Sequence, residues 1–158
     1  MISTYAGFWL RFVAFVIDWI IVYVLQSFVL VPFLAVLGIT FASQMPDPDN
    51  ITNAEAMGMV ASIVAAGAVA TLISTVVGVF YWTLMESSKY QATIGKLALG
   101  LRVTDMDGKN LDFVKALIRN LSKIISGLIL LIGYIMAAFT EKRQGLHDII
   151  ANTLVVKK

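Results

Sequence analysis

The sequence has 158 residues, of which 59% are hydrophobic and 14% are charged, with a mean hydropathy of +0.85 and a formal net charge of +2. Soluble domains are about half apolar and about a quarter charged, so this chain has too little polar surface for a water-soluble enzyme. It contains no cysteine, which excludes disulfides, thiolate metal sites and cysteine catalysis.

Three stretches without a charged residue indicate the membrane segments, at residues 19–46, 56–85 and 124–140. A helix needs about 20 apolar residues to cross the hydrocarbon core of a bilayer, which is about 30 Å thick. The first two stretches are long enough. They predict a first helix at residues 8–37, kinked or ended near Pro32, and a second at residues 56–85. We expect the connection at residues 38–55 to lie outside.

The second helix carries a small residue at every fourth position. Helices in lipid associate through close backbone approach, which small side chains permit. We therefore expect this ridge to pack against another helix, of the same chain or of a second copy. Gln26 on the first helix is expected to bond a neighbouring helix. The positions predicted to form the ridge are Gly58, Ser62, Ala66, Ala70, Ser74 and Gly78.

Residues 86–111 are predicted to form a cytoplasmic loop, in which residues 101–104 and 110–111 flank Asp107-Gly108 as a short β-hairpin. An amphipathic helix follows at residues 112–123, capped by Asp112, with apolar side chains on one face. Its basic residues are expected to lie at anionic lipid headgroups, which makes the helix interfacial. Its basic or amide side chains are Lys115, Arg119, Asn120 and Lys123.

The third stretch, residues 124–140, is at the lower length limit for a span, so it either crosses or enters and returns. Seven basic residues lie from Lys89 to Lys123, four follow Glu141, and none lies in residues 38–55. Lysine and arginine near the ends of spans tend to lie in the cytoplasm. The amino terminus is therefore predicted to be cytoplasmic, and the protein is predicted to lie in a bacterial inner membrane. A re-entrant segment keeps the tail, residues 141–158, inside, which we favour over a full crossing.

The sequence therefore predicts one all-α integral membrane domain over residues 1–158. It has two long transmembrane helices, an interfacial amphipathic helix and a third short spanning or re-entrant segment. Phosphate-loop, calcium-loop and zinc motifs each fail at required positions, and His147 is the single histidine. We expect no enzymatic activity, no cofactor, no metal site and no nucleic-acid partner.

Arg11 and Asp18 are the charged residues within the first predicted helix. Seven residues turn through about 700°, so the two side chains share a face, two turns or roughly 10 Å apart. Arg11 can reach the headgroups, but an Asp18 carboxylate is too short and needs a partner, water or a proton. Asp18 is either a proton- or cation-binding group tuned by Arg11, or part of a structural ion pair that fixes helix register.

Three motifs give the chain a family resemblance. They are residues 7–11 leading to Asp18, residues 91–96 with 100–103, and residues 143–153. With these, the chain resembles the RDD family of small membrane proteins, named for one arginine and two aspartates. The resemblance implies that the signature residues are Arg11, Asp18 and Asp148. It also gives Asp148 a role: this residue either pairs with Arg11 from the cytoplasmic side, or it only caps the tail helix or pins the tail to the bundle.

Two functions follow as expectations. In the first, which the family resemblance suggests, the protein is transport-related and exchanges a small cation for protons, with Asp18 binding the ion. Two or three helices cannot enclose a pathway, so this function requires a homo-oligomer or a membrane-protein partner. In the second, the protein is a non-transporting accessory or scaffold subunit of a larger membrane complex.

Overall fold

A computed structural model describes residues 4–45, 50–129 and 132–158. It has two compact units, Met1–Val22 with Gly78–Lys158, and Tyr23–Val77. Residues 46–49 of the predicted outer connection lie outside the described residues, as do residues 130 and 131 of the third hydrophobic stretch. The prediction of an all-α membrane fold with two long apolar helices is confirmed.

The two long helices are α1 (Phe8–Ser43) and α2 (Asn53–Ser87), and each is long and apolar enough to cross a membrane. Both are longer than predicted. Helix α1 continues through Pro32 to Ser43, so the prediction that it ends by residue 37 is wrong. Proline removes only one helical hydrogen bond, and apolar residues on both sides of it favour continued helix where no water can bond the backbone.

The unit Tyr23–Val77 contains the second part of α1, the connection and the first part of α2. Here the Gln26 side-chain amide donates to the Ser74 backbone carbonyl at 2.8 Å, the interhelical bond expected of it. The small-residue ridge differs along its length. Gly58 and Ser62 are exposed, while Ala66, Ala70 and Ser74 are half-buried. The sixth ridge position, Gly78, belongs to the other unit, where it is buried and lies against the ring of Trp82 on the same helix.

The larger unit contains four short helices and a two-stranded sheet among its described residues. The helices are α3 (Ile94–Ala98), α4 (Phe113–Leu128), α5 (Ile132–Ile135) and α6 (Leu146–Ile150). A 3-10 turn at Met136–Ala138 follows α5. The strands β1 (Leu101–Asp105) and β2 (Thr153–Lys157) pair antiparallel, with Val103 opposite Val155.

The turn of the predicted hairpin at residues 101–111 is present. The strand that was predicted to pair with residues 101–104 is wrong. The Asp105 carboxylate accepts from the backbone N–H groups of Asp107 and Lys109, which forms the turn. Only an isolated bridge joins Thr104 to Asn110, and the ladder of β1 is made with the tail strand β2. Residues 153–156 are buried and mostly apolar, so they cover β1 better than the short polar segment could.

Helix α4 is the predicted amphipathic helix, and the Asp112 carboxylate caps it by accepting from the Lys115 backbone N–H at 2.7 Å. The polar face of α4 was expected at the lipid headgroups. Arg119 and Asn120 on this face are instead buried inside the unit. The apolar face is turned outward, with Val114 61% exposed. In lipid this orientation is the stable one, because apolar side chains face the acyl chains and charges face the protein interior.

The third hydrophobic stretch is not one helix in its described residues. Its first part is the end of α4, and α5 then folds back beside α4, where a Cβ on Gly133 would lie 2.7 Å from Cβ of Ser126. The Tyr134 hydroxyl donates to the Lys123 carbonyl at 3.4 Å. The tail then reaches the first residues, where Ala6 N–H donates to the Val155 carbonyl at 2.9 Å. The tail and the residues before α1 therefore lie together.

The pairing of β1 with β2 predicts that the 105–109 turn and the tail lie on one side of the membrane. Lys109→Cys and Lys157→Cys place single thiols at exposed positions in an otherwise cysteine-free chain. We expect a membrane-impermeant thiol reagent to label both variants in vesicles of one orientation and neither in the opposite orientation. Unsubstituted protein supplies the background, and labelling of the two positions from opposite sides would contradict the sheet.

Candidate functional site

The first part of the candidate site surrounds Asp18 of α1, whose carboxylate is only 2% exposed. It accepts hydrogen bonds from the Gly95 backbone N–H at 2.8 Å, the Tyr81 hydroxyl at 3.0 Å and the Thr93 hydroxyl at 2.5 Å. All three donors are neutral. Among the described residues, Asp18 makes no ion pair, so Arg11 does not accompany it as expected.

The segment Gln91–Lys96 is folded so that its backbone and hydroxyl groups point at Asp18. Gln91 has a positive φ of 53°, and its carbonyl accepts from the Val103 N–H at 2.7 Å, which ties the segment to β1. Thr93 then precedes α3, and Gly95 is in its first turn. A Cβ on Gly95 would collide with the carbonyl oxygen of Ala14 and lie 3.0 Å from the Asp18 carboxylate. Only glycine permits this close approach.

The second part of the site is a buried ionic network centred on Asp148 of α6. Its Oδ2 is paired with the Arg11 guanidinium, and its Oδ1 accepts from Nε and Nη2 of Arg119 at 2.8 and 2.7 Å. The Asp148 carboxylate also accepts from the Gly145 backbone N–H at 3.1 Å. Both of the roles considered for this residue are therefore present, the ion pair with Arg11 and the helix cap.

Arg119 of α4 connects this ion pair to Glu86 at the end of α2. Its Nη1 lies 2.6 Å from Oε1 of Glu86, and both side chains are almost fully buried. The same Oε1 is paired with Lys96 of α3 and lies 3.8 Å from Nζ of Lys123. The other oxygen of Glu86 accepts from the Asn120 amide at 3.1 Å. One continuous network thus joins α1, α2, α3, α4 and α6.

Burial and neighbouring charge set the protonation states of this network. Burial acts to raise the pKa of Asp148, but the charges of Arg119 and Arg11 outweigh it and hold the pKa well below its usual range. Burial lowers the pKa of His147 to about 3, although Asp148 opposes the shift, so the imidazole is neutral at pH 7. For Arg119, burial lowers the pKa, but Glu86 and Asp148 more than reverse the effect and raise it.

The pKa values of the two lysines near Glu86 are lowered, whereas the pKa of Arg119 is raised. Burial lowers the pKa of Lys96, and the charge of Glu86 only partly offsets this. Burial lowers the pKa of Lys123 to about 7, again against the attraction of Glu86. The Lys123 ammonium also donates to the Asn120 side-chain oxygen at 2.5 Å and lies 5.0 Å from the centre of the Trp82 ring.

The three signature residues are thus distributed over two neighbouring arrangements. Arg11 and Asp148 are brought together, whereas Asp18 is held by Tyr81 and the 93–95 segment. Glu86, Lys96 and Arg119 were not predicted to be members of an ionic network. Two of these residues could have been identified from the sequence. Glu86 follows directly after a long charge-free stretch, and Lys96 lies in one of the motifs of the family resemblance. Arg119 could not, since a basic residue on an amphipathic helix fits either orientation.

The chain is similar to known proteins over nearly its whole length. The RDD family model matches residues 5–152. "Uncharacterized protein YxaI" of Bacillus subtilis (strain 168) is 39% identical over 153 residues, which are 97% of this chain and 97% of that protein. "Uncharacterized membrane protein YteJ" of the same strain is 32% identical over 154 residues, covering 96% of this chain and 80% of that protein. No solved structure matches the chain significantly.

The close approach at Gly95 predicts a specific steric effect. Gly95→Ala places a Cβ against the Ala14 carbonyl and the Asp18 carboxylate, so we expect it to lower the free energy of unfolding by about 1–3 kcal/mol. Gly127→Ala is the control, because nothing lies within 4 Å of that Cβ and alanine favours helix by up to about 1 kcal/mol. Denaturant unfolding in detergent micelles measures both. Equal stability of the two variants would exclude the proposed packing.

The position of Arg119 between two buried carboxylates predicts a large loss of stability when its charge is removed. Arg119→Met leaves Glu86 and Asp148 with fewer partners, and breaking a buried pair on one side costs about 3–5 kcal/mol. Lys115→Met is the control on the same helix, because Lys115 is 45% exposed and 3.9 Å from Asp105. Exposed pairs contribute about 1 kcal/mol or less. Thermal unfolding measures the loss of stability in both variants. A similar loss in Arg119→Met and Lys115→Met would contradict the network.

Proposed function

Because the chain belongs to the RDD family of membrane proteins, we propose that it exchanges a small cation for protons and that the Asp18 carboxylate binds both. One observation carries this proposal: Asp18 is a buried carboxylate on a membrane-spanning helix, and its hydrogen-bond partners are all neutral. Nothing in these contacts cancels its negative charge. A proton or a small cation would do so, and a buried charge without such a partner is costly.

The chemistry of the Asp18 partners supports binding of either ion. The hydroxyls of Tyr81 and Thr93 donate to a carboxylate, and each can turn its hydrogen away and offer a lone pair. A protonated Asp18 would itself donate to one of them. A bound cation would be met by carboxylate and hydroxyl oxygens, which are the ligands that hard cations prefer. Since each ion neutralises the same group, the two compete, and competition is the basis of exchange.

In this proposal, Arg11 and Asp148 position the ion-binding group and do not bind the ion. Their ion pair fixes the start of α1 against α6, seven residues before Asp18. Arg119 holds the other oxygen of Asp148. Arg11 and Asp148 would thereby fix the position and rotation of α1 along its axis. This in turn would hold Asp18 beside the 93–95 segment.

The distribution of basic residues supports a location in a bacterial cytoplasmic membrane. With residues 86–123 inside, the seven basic residues between Lys89 and Lys123 are cytoplasmic, as the positive-inside tendency requires. The tail lies beside the residues before α1, so the four basic residues after Glu141 are then inside as well. We propose contact of the exposed lysines with anionic headgroups, no enzymatic activity and no nucleic-acid partner.

Self-association completes the proposed transport unit. Two long helices cannot surround an ion pathway, so further helices must come from a second copy or from another membrane protein. Gly58 and Ser62 are exposed on α2, and nothing lies within 4 Å of a Cβ on Gly58. Small residues of this kind allow close helix approach in lipid, which makes this end of the ridge the proposed contact.

A specific observation also favours the alternative, an accessory or scaffold subunit that does not transport. Arg11, Arg119, Glu86 and Asp148 neutralise one another within the chain, as the charges of a purely structural unit would. In that case Asp18 acts only through its hydrogen bonds, tying α1 to the segment before α3. The two functions differ in whether the Asp18 charge is required for ion movement.

Flux measurements on reconstituted protein distinguish these functions. We expect purified protein in liposomes to dissipate an imposed pH gradient when Na⁺ or K⁺ is added, and Asp18→Asn to abolish this, because the amide cannot hold a charge. Asp107→Asn, at an exposed turn, should retain the flux. Circular dichroism checks that each variant is folded. Flux no greater than that of empty liposomes with several cations, or unchanged flux in Asp18→Asn, would contradict exchange at this residue.

A further inference from the structure

The network around Glu86 contains more positive than negative groups. Its cationic side chains are those of Arg11, Lys96, Arg119 and Lys123, and its carboxylates are those of Glu86 and Asp148. Asp18 acts on Lys96 through space but makes no ion pair in the described part of the chain. When all four cationic side chains are protonated, their positive charges exceed the negative charges of the carboxylates. One positive charge is still in surplus when Asp18 is counted, and the region is buried.

A buried surplus charge is costly, and only some of these groups can remove it. Guanidinium groups do not lose their proton in proteins, so Arg11 and Arg119 stay charged. The surplus is therefore relieved at a lysine. Lys96 is paired directly with Glu86, whereas Nζ of Lys123 is 3.8 Å from the same oxygen. The lysine farther from Glu86 gives up its proton more easily.

The surroundings of Lys123 suit both the charged and the neutral amine. Its Nζ donates to the Asn120 side-chain oxygen at 2.5 Å, a bond that a neutral amine also makes. The ammonium form gains from the Trp82 ring, whose centre is 5.0 Å away. The Lys123 side chain is 15% exposed and therefore not fully enclosed by the protein. These contacts hold the amine in place in either state.

We propose that Lys123 is the proton-binding site of the Glu86 network, the cationic group that gains and loses its proton while the others stay charged. Nothing in this inference requires cation exchange, and its residues differ from those at Asp18. The surplus charge and the contact geometry carry it. The pKa of Lys123, lowered by burial to about 7 against the attraction of Glu86, agrees with it.

The other ionisable groups facing Lys123 do not account for a titration near pH 7. Arg11 and Arg119 remain charged. His147 on α6 has a pKa lowered by burial to about 3, Asp148 is held well below its usual range, and burial raises the pKa of Tyr134 on α5. The carboxylate of Glu86 on α2 and the ammonium of Lys96 on α3 remain as the immediate partners. Lys96 is the competing site, because burial lowers its pKa as well.

Trp82 reports the charge of Lys123 directly. The variant Trp9→Phe/Trp19→Phe leaves Trp82 as the only tryptophan, and its emission is recorded in nanodiscs between pH 5.5 and 9.5. Because an ammonium beside the indole changes its emission, we expect one transition with a midpoint near pH 7, against about 10.5 for an ordinary lysine. In the same background, Lys123→Arg keeps the charge at all these pH values and should abolish the transition.

Two matched substitutions and one chemical measurement complete the test. Lys115→Arg, on the exposed part of α4, and Lys96→Arg should each leave the midpoint near pH 7. Should Lys123→Arg not fold, acetylation followed by mass spectrometry measures each lysine in the unsubstituted chain. Reactivity of Lys123 should be half-maximal near pH 7, and Lys115, on the exposed part of α4, is the reference lysine in the same spectra. A flat Trp82 signal, or a transition lost in Lys96→Arg and kept in Lys123→Arg, would overturn the proposal.

Discussion

The larger unit depends on Arg119, whose Nε and Nη2 both lie on one oxygen of Asp148 and whose Nη1 lies 2.6 Å from Oε1 of Glu86. The unit has a small apolar core, made largely of alanine, valine and leucine around the sheet. Helices in lipid gain little from burying apolar surface against one another, so directional contacts must fix their arrangement. A buried guanidinium satisfies that need because it binds two carboxylates at defined angles.

The contrast between the two buried aspartates connects structure to function. Asp148 is bound by two guanidinium groups and a backbone N–H, so its charge is permanently neutralised and its position is fixed. Asp18 is equally buried but is surrounded by hydroxyls and one backbone N–H. The same residue type therefore has charged partners in one place and only neutral partners in the other. This difference is why the proposed exchange is assigned to Asp18.

Hydropathy and charge spacing were sufficient to predict the two long helices, the Asp112 cap and the amphipathic α4, because each depends on local sequence. They were insufficient for contacts between distant segments. The tail strand that replaces the predicted hairpin partner lies about fifty residues from β1, and Arg119 could have faced lipid headgroups or the interior. The signature residues came from family resemblance, which left open whether Asp148 pairs with Arg11. That pair is present, whereas Arg11, which was also expected to tune Asp18, makes no ion pair with it among the described residues.

The long sequence separation within the ionic network has a consequence for biosynthesis. Arg11 and Arg119 are translated well before Asp148, whose carboxylate both of them require. While the ribosome is still upstream of codon 148, Arg11 must be solvated by water or lipid phosphates, Arg119 has Glu86 but not Asp148 as a partner, and β1 has no partner strand. Membrane insertion of the two long helices can proceed during translation. Assembly of the interior, by contrast, is deferred until α6 and β2 have emerged, so it follows insertion in time.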